Sequence, residues 1–299
     1  QIEAGIYPGA SFAYYQDGVW SDWYLGKANP EIGEKTSEGL VYDLASVSKV
    51  VGVGTVLTFF WKEGKIEFIA DCDGMLKIQS EKLFALNSFG QMMMATKKNH
   101  SFIKKGEAFA GTRIIPLSIE REKMEEVQKI APEGGILQLL PFEKKKVGLI
   151  STGNEVFYKR IQDSFTPVVR EKLSPYPVEI IGHVTCPDDV EQEKGAIQDF
   201  LRQGADLVIC MGGMSVDPDD RTPLAIRLST EEVVSYGAPV LPGSMFMLAY
   251  AKGKVPVLGL PGSIMFCPTT VFDLVLPRIM AGDIVKKEEI DALGEGGLL

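Results

Sequence analysis

Four apolar runs in the second half of the chain each stop at a small or acidic residue, and this shared ending limits what the chain can fold into. KKVGLIST (145–152) runs into Thr152-Gly153-Asn154-Glu155, and the strand-like stretch 178–186 into Pro187-Asp188-Asp189. ADLVICM (205–211) leads to Gly212-Gly213-Met214-Ser215, and VPVLGL (255–260) to Pro261-Gly262-Ser263. The first, third and fourth runs are short and rich in Val, Ile and Leu, the pattern of a strand buried on both faces, and 178–186 reads as a further strand. Helical stretches separate the runs, at about 164–174, at about 190–203 and from Thr222-Pro223 onward, with a last helix at about 268–281 closed by Gly282. Asp188 or Asp189 suits the N-cap of the second helix, and Pro223 suits the first position of the third. Strands alternating with helices predict an α/β fold across 142–299, a three-layer, doubly wound, mostly parallel sheet. Ligands of such sheets sit at the carboxyl ends of the strands, so the four turns should meet on one rim.

The residue types on that rim suit an anion. Small side chains let backbone N–H groups approach a phosphate closely. Asp217, Asp219 and Asp220 follow the Gly-Gly pair, and carboxylates beside a phosphate repel it unless a cation such as Mg²⁺ bridges them. Each piece also has a plainer reading. Gly-Gly after a strand is a common turn, Asp188 and Asp189 suit a helix cap, and the later acids suit a solvated loop.

Charge and composition exclude several classes. With 40 acidic against 31 basic residues the net charge is −9, which argues against a general nucleic-acid binder. Every apolar stretch is broken well before the ~20 residues a membrane helix needs. Cys72, Cys186, Cys210 and Cys267 form no CxxC pair, and His100 and His183 are not spaced as zinc ligands. The apolar surroundings of Cys186 and Cys210 predict buried, reduced thiols and a cytoplasmic home. QIEAGIYPG at the start lacks a basic region followed by an apolar core, so no signal peptide is expected.

At the third turn the pattern becomes more specific. GADLVICMGGMSVDPDDRTPLAI resembles the GGTG-type signature of molybdopterin-binding proteins of molybdenum-cofactor biosynthesis. Gly212, Gly213, Asp220, Thr222 and Pro223 match, while Ser215 stands where a second-turn glycine usually sits. STGNE (151–155) and LPGSI (260–264) are similar to two further family turns, with Ile264 in place of a proline. Upstream likeness through ADCDGMLKI, KKGEAFAGTRIIPL and LLPF extends the resemblance over roughly 70–299.

The resemblance implies a stand-alone, bacterial-type protein that binds the phosphate of the pterin dithiolene and assists adenylation or molybdate insertion. It implies that Asp217 and Asp220 are the catalytic pair, holding Mg²⁺ or orienting the pterin, and that the Gly212-Gly213 amides hold the phosphate. Thr152, Gly153, Asn154, Glu155, Asp188, Asp189, Met214, Ser215, Thr222, Pro261, Gly262 and Ser263 would line the pocket. A homo-oligomer is implied as well. Competence-damage-type proteins share the fold, so a nucleotide is the alternative ligand.

The first part of the chain has a different texture. GASFAYYQDGVWSDWYLGKA predicts two strands around Gln16-Asp17-Gly18, and a helix is expected from about Ser46 to Glu63 with Gly64 as its C-cap. YDLASVSKVVGVGTVLTFFWKEGKI resembles the SxxK region of serine β-lactamases and penicillin-binding-type hydrolases, with Ser46 as nucleophile and Lys49 one helical turn on. An amine at i+3 on a helix reaches the hydroxyl at i. The family's later Tyr/Ser-x-Asn and KTG elements have no counterpart downstream, and Lys35-Thr36-Ser37 precedes Ser46, so acyl transfer is not expected. The expected organisation is an N-terminal α+β hydrolase-like fragment (1–68), a small β-rich subdomain (69–141) with a strand at 111–119 and a helix at about 120–131, and the α/β domain (142–299). The two resemblances join near Glu67–Asp71, as in a chimeric chain.

Overall fold

The computed structural model describes residues 9–16, 19–29, 34–35, 40–41, 57–62, 65–115, 119–130, 135–215, 217 and 220–298. The chain divides into two compact units, Gln1–Pro141 and Phe142–Leu299. Among the described residues, no helix is long and apolar enough to cross a membrane.

The first unit is built of antiparallel strands. Gly9–Gln16 pairs with Val19–Asn29 so that Gln16 faces Val19, the hairpin expected around Asp17-Gly18. A four-stranded sheet follows, in the order Leu57–Lys62, Lys65–Ala70, Ala108–Ile114, Met92–Thr96. It corrects the helix expected over 46–63, since residues 57–62 are a strand whose Lys62 faces Lys65. LTFFWK is dense in residues that fit a pleated surface, and its partner KIEFIA lies directly beyond it in sequence. That second strand, Lys65–Ala70, also runs through the division expected at residue 68. Ser46 and Lys49, with the SxxK helix proper, lie outside the described residues. A smaller sheet pairs Gly74–Ile78 with Leu137–Pro141 and Phe102–Ile103. Phe68, Met92, Phe109, Ile103 and Leu139 fill the core between the sheets and the helices Ser80–Ser88 and Arg121–Ile130.

In the second unit we label the sheet strands β1 (Lys145–Thr152), β2 (Val178–Cys186), β3 (Leu207–Met211), β4 (Glu232–Tyr236), β5 (Met247–Ala251) and β6 (Val255–Leu260). The main helices are α1 (Phe165–Leu173), α2 (Val190–Arg202), α3 (Thr222–Ser229) and α4 (Val271–Met280). The sheet order is β2-β1-β3-β6-β5-β4. The first four strands are parallel and the last two antiparallel, as a doubly wound, mostly parallel sheet requires. β4 and β5 are strands the sequence did not announce, because MFMLAYA carries no period that separates a buried strand from a buried helix.

Strand alternation sorts β1 onto two cores. Val147 and Leu149 pack with Phe165, Val169 and Leu173 of α1 and with Phe272, Val275 and Leu276 of α4. Ile150 packs on the opposite side with Ala196, Ile197 and Phe200 of α2 and with Ala225 and Ile226 of α3. Gly148 and Gly182 form a slot for the Phe200 ring: a methyl group at Gly148 would lie 2.4 Å from its Cγ, and one at Gly182 2.8 Å from its Cε1. This slot sets how closely α2 lies on the sheet.

Candidate functional site

Register puts the four strand ends at one level. Thr152 is the partner of Cys186, Ser151 of Met211, and Met211 of Leu260. The turns 152–155, 187–189, 212–220 and 261–263 therefore leave the sheet at one end, the arrangement that makes a rim.

Hydrogen bonds tie the rim together. Asn154 N–H donates to Asp188 Oδ2 at 3.0 Å, linking the first turn to the second. Asp189 is the N-cap of α2, accepting from Gln192 N–H at 2.9 Å. Gly153 N–H donates to Cys186 O at 3.2 Å. In the third turn Asp220 Oδ2 accepts from Ser215 N–H at 2.5 Å, and Asp220 N–H donates to Asp217 O at 3.0 Å. Beneath it, Thr152 Oγ1 lies 3.1 Å from Thr222 Oγ1 and donates to Met211 O at 3.3 Å, with both threonines buried.

Gly212 and Gly213 could not be other residues here. Both have positive φ, 97° and 58°, which side chains rarely adopt. Space forbids a Cβ as well: at Gly212 it would lie 2.8 Å from Thr152 O, and at Gly213 2.5 Å from Thr222 Oγ1.

The donors differ from those the resemblance implies. Gly212 N–H is spent on Leu260 O at 3.1 Å, so it continues the sheet rather than facing a ligand. The amides of Gly213 and Met214 make no hydrogen bond among the described residues. At the fourth turn, Gly262–Met265 is a 3-10 turn, and the first amides of such a turn have no partner within it. Among the described residues, the amides of this rim left without a partner are therefore those of Gly213, Met214 and the start of the Gly262 turn. Among the described residues, no group of three or more His, Cys, Asp or Glu side chains is arranged to hold a metal ion. Asp220 Oδ2 is turned to Ser215 N–H, and Asp219, the remaining acid of this turn, lies outside the described residues. Glu155 is exposed beside this rim, in the short helix Asn154–Phe157.

Two residues at this end were not foreseen. Tyr236, the last residue of β4, donates through its hydroxyl to Met214 O at 3.4 Å, which braces the third turn. Burial, then the charge of Asp220, pushes its phenol above the ordinary range. Glu193, in the first turns of α2, is 1% exposed, and neither of its carboxylate oxygens makes a hydrogen bond among the described residues. The Thr222 hydroxyl favours the ionised form from nearby without bonding geometry, and burial outweighs it, with Asp188, Asp189 and Asp220 adding repulsion. The carboxyl is pushed up to about 7. Burial, reinforced by Glu193, in turn lifts the thiols of Cys186, to about 11, and of Cys210, so both stay protonated. The signal for Glu193 was present in the sequence: it shares a helical face with Ala196, Ile197 and Phe200, where a carboxylate is out of place.

A second polar cluster lies on the other face of β1. Asp163 Oδ2 accepts from Ser151 Oγ at 2.8 Å and from Thr166 Oγ1 at 2.6 Å. Asp163 Oδ1 accepts from the Phe165 and Thr166 amides at 2.9 and 3.0 Å. With both hydroxyl protons turned to Asp163, His183 Nε2, 2.9 Å from Ser151 Oγ and 3.1 Å from Thr166 Oγ1, must carry a proton and donate. Burial raises the Asp163 carboxyl, but its hydrogen bonds from Thr166, Ser151 and Phe165 outweigh that and hold it below the usual range. Burial also lowers His183, with Asp163 opposing and Arg170 adding to the drop.

Known proteins are similar to this part of the chain. Residues 148–281 match the family described as the probable molybdopterin binding domain. The molybdopterin molybdenumtransferase of Synechococcus elongatus is 27% identical over 180 residues, covering 57% of this chain and 42% of that protein. A CinA-like protein of Mycolicibacterium vanbaalenii is 35% identical over 78 residues, covering 26% of this chain and 18% of that one. The chain thus spans less than half the length of these curated relatives. Among solved structures, the molybdopterin biosynthesis enzyme MoaB from Thermus thermophilus aligns at 26% identity over 45% of this chain and 91% of that one, with a TM-score of 0.40.

Proposed function

We propose that the second unit binds molybdopterin by its phosphate, at the rim formed by turns 152–155, 187–189, 212–220 and 261–263, and serves molybdenum-cofactor biosynthesis. The observation that carries this reading is the Gly213–Met214 segment: two successive amides with no hydrogen bond among the described residues, on a turn whose φ and packing admit only glycine at 212 and 213. Amides in this setting bind a phosphate without needing a positive net charge. The match of residues 148–281 to the probable molybdopterin binding domain supports the pterin as the group that brings the phosphate. Asp217 and Asp220 then orient the pterin from the loop, Asp220 while holding Ser215 N–H.

A nucleotide at the same rim is the second reading, favoured by the likeness to the CinA-like protein. Titration separates the two. A ligand that binds only the native state raises the melting temperature in proportion to the logarithm of its concentration over Kd. Molybdopterin should raise it and AMP should not. The reverse order gives the site to a nucleotide, and no shift with either removes the rim as an anion site.

A further inference from the structure

Three of the acids at this end of the sheet are already held. Asp188 accepts from Asn154 N–H, Asp189 from Gln192 N–H and Asp220 from Ser215 N–H. Glu193 is the exception, for it is the most buried of the four and neither oxygen has a hydrogen-bond partner among the described residues. An ionised carboxylate in that setting is costly, and the group responds by holding a proton.

Two buried hydroxyls, those of Thr152 and Thr222, lie at this end of the sheet. Thr222, at the start of α3, influences the Glu193 carboxyl and lies 3.1 Å from Thr152 Oγ1. A methyl group at Gly213 would lie 2.5 Å from Thr222 Oγ1 and 3.1 Å from Thr152 Oγ1, so this pair forms the floor under the Gly213 turn. Thr222 is close enough to feel the charge of Glu193 and is in hydrogen-bond range of Thr152. The state of Glu193 is thereby felt at the floor of the site.

We propose that Glu193 is the proton partner of the anion held on the Gly213–Met214 amides: when a phosphate docks, one proton moves from solvent to a Glu193 carboxylate oxygen, and it returns to solvent when the ligand leaves. The proposal rests on the anion-binding reading of the rim. No other bond changes, and charge balances because the incoming negative charge is met by the loss of one behind it. The charges acting on Glu193 are those of Asp188 and Asp189 ahead of its own helix and Asp220 ahead of α3, all negative. Cys186 at the end of β2 and Cys210 in β3 face it as protonated thiols. A docked anion adds to the same sign of field, so it favours the protonated acid further.

The sign follows by linkage. Ligand-bound protein holds more protons than free protein, so affinity falls as the pH rises above the free value of Glu193, about 7. The fall approaches about tenfold per pH unit until the bound form also ionises. The test is calorimetric titration of the full chain with purified molybdopterin, and in parallel with AMP, in buffers of different ionisation enthalpy between pH 6.5 and 8.5. Infrared difference spectra of the free protein over the same range provide a ligand-independent arm.

Expected are proton uptake approaching one per ligand at the alkaline end, loss of that uptake and of the pH slope in Glu193→Gln, and a protonated-carboxyl band that titrates in the free protein and is missing from the variant. Glu193→Met replaces the glutamine variant if the latter folds poorly. Uptake that persists in Glu193→Gln, a flat pH profile in the unsubstituted protein, or no titrating carboxyl band each overturns the proposal. Uptake with AMP alone supports Glu193 as the proton partner while overturning the pterin as ligand. A titrating band with neither ligand binding overturns both, since the acid then answers to no anion.

Discussion

Ser151 and Thr152 are neighbours in β1, and alternation sends them to opposite faces of the sheet. On the Ser151 face, Asp163 is surrounded by two hydroxyls and two amides that all donate to it, with His183 completing the network. Behind Thr152, Glu193 is buried more deeply and has no hydrogen-bond partner among the described residues. The first arrangement is that of a fastener, because a satisfied carboxylate and helix cap stabilise the ionised state and pin the start of α1. The second destabilises the fold at neutral pH, and such arrangements persist where a site makes use of them.

The two clusters therefore pull in opposite directions as pH changes. Asp163 has a folded value below the ordinary 3.8 and His183 one below 6.5, so the stability each lends is present above those ordinary values and is lost as pH falls through the folded ones. Glu193 has a folded value raised from 4.5 to about 7, so its contribution is present below 4.5 and is lost as pH rises through 7.

The contrast can be broken from either side. The largest effect is expected for Phe200→Ala, which empties the Gly148–Gly182 slot and frees the helix carrying Glu193. A buried Phe-to-Ala change costs about 3–5 kcal/mol, read by urea denaturation. A loss below about 1 kcal/mol would mean α2 is held by something other than that ring. Next is Glu193→Leu. The rise from 4.5 to about 7 corresponds to roughly 3 kcal/mol against the ionised form, so the variant should gain about that much at pH 8 and lose most of the advantage at pH 4.5. Equal gains at both values would make the group an ordinary packing defect.

On the other face, Asp163→Ala should cost about 1–2 kcal/mol at pH 7, as loss of a helix cap does, with the deficit shrinking below pH 4. A variant as stable as the parent at pH 7 would remove Asp163 as the fastener. The smallest change in stability is expected for Asp220→Ala, a shift in melting temperature of about one or two degrees, because a loop carboxylate contributes little packing. Its effect should appear in ligand affinity instead, since Ser215 loses its anchor. Unchanged affinity would separate Asp220 from the site.

Sequence carried the second unit far, and the reasons are physical. Runs of Val, Ile and Leu between helical stretches are the imprint of strands buried on both faces. β1, expected at 145–152, is Lys145–Thr152, and β6, expected at 255–260, is Val255–Leu260. Convergence of the turns followed from parallel pairing. What was hidden depends on partners distant in sequence. Nothing local says that Gly212 spends its amide on Leu260, or that Asp220 is turned to Ser215. Tyr236 sits on a strand whose apolar partner has no distinctive period. Glu193 was legible as a charge on an apolar helical face, yet its isolation shows only when Thr222 and the β2 and β3 thiols surround it. In the first unit, LTFFWK formed a strand because KIEFIA was there to pair with it, a choice that lies outside any helix-length window.

The glycine slot for Phe200 has a consequence for how this site varies. Gly148 lies four positions before Thr152 on the same strand and makes no contact with the rim, yet it governs the seating depth of the helix that bears both Asp189 and Glu193. An added methyl there would lift that helix like a shim, moving cap and acid outward together. Tuning of the ligand end can thus be inherited from the opposite end of the strand, and a survey of variants confined to the loops would pass over the residue with the longest lever.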